Sequence, residues 1–309
     1  MSENQEWLDK LNEKYKSLGV DARPYLEGLY WAKPITYWDY VEIDTLLSLQ
    51  KNRTGLEDEG VFIMYHQVNE LLFKMILSEI KQIAYKEDLT PAFFATRLDR
   101  ISRYFDVLTS SFEIMRLGME TEQYLKFRNT LTPASGFQSG QYRMIEICST
   151  DFENLVDARF KDRITKDSSW EDKLEHIYWQ AAGKDYKTGK KSLTLQLFEE
   201  KYRDQFLRTA EEYKNLNLWA RYCELDEATQ KDPQLLQAMR HHDHTVNIKW
   251  VMAHYNSAKH YLESGTEVKE ATGGSDWKKY MHPKYQRRMF FPGVWSEDEL
   301  ARWGEDEPM

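Results

Sequence analysis

The sequence predicts an all-α fold. Apolar residues recur three and four apart over long stretches, whereas the short alternating runs broken by Asn-Gly or Asp-Gly that mark hairpins are nearly absent, and no internal repeat stands out. A chain of 309 residues can bury a large core. We read it as one domain over 1–309, with an N-terminal arm over about 1–38 and a charged helical insert over about 158–192.

The first 35 residues mix aromatics with prolines, the composition of an arm that docks on a neighbouring subunit rather than folding alone. Thr36-Tyr37-Trp38-Asp39-Tyr40 then leads into a predicted helix over about 39–51, where packing is the ordinary role of the aromatics. The next helix, about 58–85, has Asp58 placed as its cap and holds the most informative stretch of the chain. Phe62, Phe73, Ile76 and Ile80 fall on one stripe, and His66 and Asn69 interrupt it. Met64, Val68, Leu71 and Met75 form a second stripe, as on a central helix that is apolar on more than one side. By itself His66 reads as a core histidine satisfied by a neighbour.

Pro91 fits the first turn of a helix over about 91–118. Ala134-Ser135-Gly136-Phe137-Gln138-Ser139-Gly140-Gln141-Tyr142-Arg143 opens another, about 136–148. Its glycines allow close backbone approach and the fork of Arg143 suits a carboxylate, although a helix start with a surface arginine has the same pattern. The insert is dense in charge and reads as a solvated excursion or a small helical piece. Helices follow over about 194–225 and 233–263, and the tail from Trp295 is acidic and expected at the surface.

The last long helix carries His241, His242, His244, His254 and His260. His242 and His244 lack the carboxylates or cysteines that would complete a metal site. His254 lies four residues after Trp250 among apolar neighbours, the setting in which an imidazole holds a haem iron. Ala271-Thr272-Gly273-Gly274-Ser275 is either a plain linker turn or a hydroxyl-bearing loop that closes over a ligand.

Composition narrows the partners. A formal charge of −9, with no dense Lys/Arg patch, argues against nucleic acid or an anionic membrane surface, and 14% aromatic residues suit a pocket for a flat small molecule. No stretch approaches the roughly 18 apolar residues of a membrane span, and no basic start with an apolar run marks secretion, so the expected compartment is the cytoplasm. Cys148 and Cys223 are too few and too far apart for a disulfide framework or a zinc site.

Asp58-Glu59-Gly60-Val61-Phe62, His66-Gln67, Glu70-Leu71, Phe73-Lys74, Ala134 to Ser139 with Tyr142-Arg143 and Ile145-Glu146, Thr272-Gly273-Gly274-Ser275 and Phe290-Phe291-Pro292 occur in an order that resembles the tryptophan 2,3-dioxygenases. The resemblance spans about residues 36–295. It implies an all-α homotetramer that binds haem b without covalent attachment and uses dioxygen to cleave the indole ring of L-tryptophan, giving N-formylkynurenine. It also implies roles for particular residues. His254 becomes the axial ligand to the haem iron, with Trp250, Ser139 and Gly140 beside the cofactor and His242 or His244 as fallback ligands. His66 stands near the indole nitrogen as the catalytic residue, Arg143 binds the substrate carboxylate, Thr272 meets its charged end and Phe62 walls the indole. Tyr37, Tyr40 and Val41 reach a neighbouring subunit's pocket.

The chain departs from the family pattern at several places. Leu72 stands where tryptophan is usual, Ala271 replaces a glycine, Asp276-Trp277 replaces Ser-Gly, and Gly293-Val294 stands where Glu-Leu is common. The stretch from His254 to Thr272 is also about four residues longer. An altered lid admits a second expectation, a haem-dependent mono- or dioxygenase of a modified tryptophan or related indole.

Overall fold

The computed structural model describes residues 2–262 and 281–305. All regular elements among these residues are helical, and extended pairing is confined to isolated bridges at Val156–Ile177 and Lys184–Lys191. The chain divides into two compact units, one ending at Lys51 and the other beginning at Asn52.

The first unit holds α1 (Glu3–Ser17), α2 (Arg23–Trp31), α3 (Tyr37–Val41) and α4 (Ile43–Leu46), none of which contains a buried residue. The helix expected over 39–51 is broken. Glu42 adopts the left-handed conformation, φ 55°, and ends the i to i−4 ladder between α3 and α4. Tyr37, Tyr40 and Val41 are exposed.

In the second unit, α5 (Glu57–Ala84) and α6 (Pro91–Leu117) are the long central pair, with Pro91 in the first turn of α6 as the sequence predicts. Thr90 caps α6 by accepting from the Phe93 N–H at 3.3 Å. Asp58 is not the cap of α5: that position is Leu56, and the Asp58 carboxylate accepts instead from the Glu120 N–H at 2.6 Å, tying α5 to the start of α7 (Thr121–Leu131). A carboxylate in the first turn still complements the helix dipole.

The chain then runs through α8 (Gly140–Ser149), α9 (Trp170–Glu175), α10 (Leu193–Glu212), α11 (Leu218–Cys223), α12 (Glu227–Gln230) and α13 (Pro233–His244). A π-helical turn, Thr245–Lys249, leads into α14 (Trp250–Leu262). The predicted helix over 194–225 is interrupted before Asn217, whose side chain accepts from the Ala220 N–H at 2.9 Å and starts α11 afresh. Asparagine competes for backbone partners in this way, which hydrophobic period alone does not reveal.

α6 packs against α5, α13 and α14, and α8 packs against α5 and α10. The main core includes Phe73, Ile76 and Ile80 of α5, Phe94, Leu98 and Phe105 of α6, and Phe290 with Phe291 near the C-terminal end. Only one stripe of α5 is spent on it. Met64, Val68, Leu71 and Met75 are exposed, so α5 is not enclosed on both sides by the described residues.

Two surface expectations are corrected. The charged insert is helical in pieces but anchored, because Leu174, Ile177, Trp179 and Gln180 are buried. The tail after Trp295 is anchored too. Trp303 is buried and donates its indole N–H to the Arg288 carbonyl at 2.8 Å, while Trp295 donates to Asp243 at 2.9 Å.

Candidate active site

α5 brings His66 to the site half-buried, its ring 4.1 Å from that of Phe62 one turn earlier. His66 Nδ1 lies 2.7 Å from the Phe62 carbonyl oxygen. A carbonyl only accepts, so this contact places the proton on Nδ1 and leaves Nε2 as an acceptor with no partner among the described residues. Burial pushes the imidazole below its ordinary range, with the Phe62 carbonyl and the Glu70 charge opposing, so His66 is neutral at neutral pH. The sequence reading of a histidine satisfied by its neighbour is therefore half true.

His254 enters from α14. Its ring lies parallel to Phe112 of α6, centroids 5.5 Å apart and planes at 19°, and 6.1 Å from Trp250. Neither ring nitrogen makes a hydrogen bond among the described residues. Burial pushes its imidazole down to about 4, and the Arg143 charge presses the same way. Shared rings join the three: Tyr65 packs against both His66 and Phe112, which stacks on His254, and the Arg143 guanidinium lies over Tyr142, which packs against Trp250 beside His254. Trp250 packs against Phe73, Phe105, Phe112 and Tyr142, and its buried indole N–H has no partner among the described residues.

These residues fit a haem. A neutral imidazole with its one in-plane lone pair unspent is the protonation state that ligates iron, and Phe112 and Trp250 supply apolar aromatic surface beside it. No group of three His, Cys, Asp or Glu among the described residues is arranged to hold a bare metal ion.

The other histidines lie elsewhere. His242 is fully buried between Phe105, Phe290 and Phe291, and neither ring nitrogen has a partner among the described residues. Burial pushes it down to about 3, and neighbouring His241 presses the same way. His241 is exposed and His244 half-buried.

Arg143 is buried on α8 with its countercharge already present. Its Nη1 donates to Glu146 at 2.7 Å and to the Tyr178 hydroxyl at 2.6 Å, and Nε donates to the Phe137 carbonyl at 3.2 Å. Nη2 makes no hydrogen bond among the described residues. Arg143 therefore has a protein countercharge one helical turn away, in Glu146. Glu146 also pairs with buried Arg288, whose Nη2 donates to the Tyr142 hydroxyl at 2.8 Å and whose Nε donates to Asn247 of the π turn at 2.6 Å. Burial holds the Tyr142 and Tyr178 phenols well above their usual range, that of Tyr178 at about 12, so both remain neutral.

Ser139 caps α8, its hydroxyl accepting from the Tyr142 N–H at 3.2 Å. The close approach at Gly140 is made by the protein itself, since a Cβ there would lie 2.6 Å from the Tyr202 ring. Gly293, one of the departures from the family pattern, has a similar cause: a Cβ would meet Trp219 at 2.7 Å. Leu72, another, is a partly buried member of the main core. Thr272, with Ala271, Gly273, Gly274, Ser275, Asp276 and Trp277, lies outside the described residues. Tyr37, Tyr40 and Val41 belong to the first unit.

Glu146, Tyr178, Asn247 and Arg288 escape a search for catalytic residue types. The spacing of Glu146 from Arg143 was a visible i, i+3 ion-pair signal, and Ile177-Tyr178-Trp179 is an apolar run inside a charged segment. Nothing local pointed to Asn247.

A family model described as tryptophan 2,3-dioxygenase matches residues 31–272. The tryptophan 2,3-dioxygenase of Ruegeria pomeroyi is 38% identical over 129 residues, 40% of this chain and 45% of that protein. Tryptophan 2,3-dioxygenase 2 of Ralstonia nicotianae is 40% identical over 126 residues, 37% of this chain and 34% of that protein. The Bacillus anthracis tryptophan 2,3-dioxygenase is 42% identical over 115 residues, 36% of this chain and 40% of that protein. The chain spans less than half the length of each of these relatives.

Proposed function

The chain belongs to the tryptophan 2,3-dioxygenase family, and from that premise we propose that it is a haem-dependent dioxygenase of L-tryptophan, cleaving the indole C2–C3 bond to give N-formylkynurenine. One observation carries the reading. Two neutral imidazoles and a guanidinium meet in one aromatic-lined neighbourhood, each with hydrogen-bonding capacity left over: His66 Nε2, the His254 ring and Arg143 Nη2.

These three groups match the substrate and cofactor. Arg143 Nη2 binds the α-carboxylate, and the charge-assisted bond fixes which end of the substrate enters first. His66 Nε2 accepts the indole N–H, with Nδ1 held by the Phe62 carbonyl so that the ring cannot turn its donor toward the substrate. Phe62 covers the indole. Thr272 meets the charged end of the amino acid. His254 would hold haem b, with Trp250, Ser139 and Gly140 as the residues that would border it. Haem iron, when bound, supplies the binding and redox activation of dioxygen. Both oxygen atoms of one dioxygen enter the product, so no external reductant is consumed. The protein supplies position, apolar cover and a fixed acceptor for the indole proton.

The assembly we propose is a homotetramer. The exposed Met64, Val68, Leu71 and Met75 stripe supports burial by another copy, and Tyr37, Tyr40 and Val41 are exposed and available to a neighbour's pocket. Free Cys148 and Cys223 suit the reducing cytoplasm, and no helix among the described residues is long and apolar enough to cross a membrane.

The test is mass spectrometry of the product formed by the ferrous, haem-loaded protein from L-tryptophan and isotopically labelled dioxygen. Two labelled oxygens in N-formylkynurenine are expected. One labelled oxygen, or no turnover with a competent ferrous haem, would move the assignment to oxygenation of a modified indole.

A further inference from the structure

We propose that Arg288 is a positioning residue for substrate binding: by sharing Glu146 with Arg143 it leaves the pair of guanidiniums one negative charge short, and the substrate carboxylate supplies that charge at Arg143 Nη2. The inference rests on the proposed function above and assigns part of its specificity to a residue outside the pocket wall.

The count of charges is local and explicit. Arg143, Arg288 and Glu146 have side chains 8%, 3% and 0% exposed, so water screens little of what they feel. The Glu146 carboxylate takes one guanidinium on each oxygen, Arg143 on Oε2 and Arg288 on Oε1. The Tyr178 hydroxyl touches all three, donating to Glu146 Oε1 while it accepts from both arginines. Tyr142 and Tyr178 are neutral, so two positive charges face one negative charge. Asp243 does not make up the difference by contact. Its carboxylate is filled by N–H donors of Phe290, Phe291, Trp295 and Asn247, and only the Asn247 amide links it to Arg288. Without Arg288, Glu146 would neutralise Arg143 alone, and an arriving carboxylate would meet a satisfied ion pair.

Calorimetric binding of L-tryptophan and of tryptamine, which lacks the carboxylate, to the haem-loaded protein tests this. Selectivity is the ratio of the two affinities. Arg288→Gln should lower it about tenfold or more by weakening L-tryptophan alone, whereas Arg288→Lys, which keeps the charge, should hold it within about threefold. The double variant Arg288→Gln/Glu146→Gln restores one net positive charge and should recover most of the loss. Glu146→Gln alone should raise selectivity, and this arm decides the matter if Arg288→Gln does not fold. A merely structural Arg288 predicts equal weakening of both ligands and no recovery in the double variant. That result, unchanged selectivity in Arg288→Gln, or a fall in Glu146→Gln would overturn the inference. Arg143→Lys separates the two levels: unchanged selectivity there would refute the carboxylate site itself, whereas a loss there with none at Arg288 would refute only the role of Arg288.

Discussion

His242 and His254 lie on the same helical run, on either side of the π turn, and both are neutral histidines without hydrogen bonds among the described residues. Their surroundings differ. His242 is sealed among phenyl rings, with the saturated Asp243 carboxylate next to it in sequence, whereas half-buried His254 shares its space with His66 and Arg143. An unpaired nitrogen enclosed in carbon costs stability and has no room for a partner. One that lines a polar neighbourhood keeps its bonding capacity for a ligand.

The sharpest way to break this comparison is haem content. His254→Ala should purify almost free of haem, while His242→Ala and His244→Ala retain it. Haem lost from the His242 variant instead would reverse the assignment. Next in size is Arg143→Ala, for which we expect the Michaelis constant for L-tryptophan to rise by the equivalent of about 2–5 kcal/mol, the range for breaking a buried charged contact. An unchanged constant would remove Arg143 from carboxylate binding.

On the closed side, Asp243→Ala leaves buried N–H donors from Phe290, Phe291, Trp295 and Asn247 unpaired. Chemical denaturation should show a loss of about 3 kcal/mol or more, since each unmet group costs about 1–3. A loss below about 1 kcal/mol would mean that the C-terminal segment is not held there.

The smallest effect has the opposite sign. His242→Leu removes two unpaired polar atoms and should stabilise the protein by about 1 kcal/mol, a few degrees in Tm. Its pH dependence is a second check. The folded His242 imidazole is pushed down to about 3 from 6.5, so the unfolded chain binds the extra proton. This contribution is absent above about pH 6.5 and destabilises increasingly as pH falls toward 3, by at most about 1.4 kcal/mol per unit. His242→Leu should flatten the acid limb of the stability curve by one proton. Parallel acid limbs in the two proteins would show that His242 is protonated in the fold.

Much of the site was legible because its chemistry is local. His66 stood out by interrupting an apolar stripe, and His254 by following Trp250 on an apolar helix. What could not be read was whether each polar group is already satisfied. Arg143 was read by its fit to a carboxylate or as a surface residue, whereas it is buried against Glu146 one turn along the same helix, and the Tyr178 and Arg288 partners come from segments far away in the chain. The fold shows the same division. Pro91 and the long helices follow from spacing, but the Glu42 reversal and the Asn217 restart depend on single-residue backbone choices that period does not encode.

Sequence alone determined that the chain is helical, which faces are apolar and which polar residues interrupt them, because a period of 3.6 residues and side-chain chemistry are local properties. Tertiary structure decided which face of α5 is covered, which of two similar histidines keeps unspent capacity in polar company, and how two arginines divide one carboxylate. Those outcomes depend on closing the chain around a core, where the partner available to a buried polar group is set by segments remote in sequence.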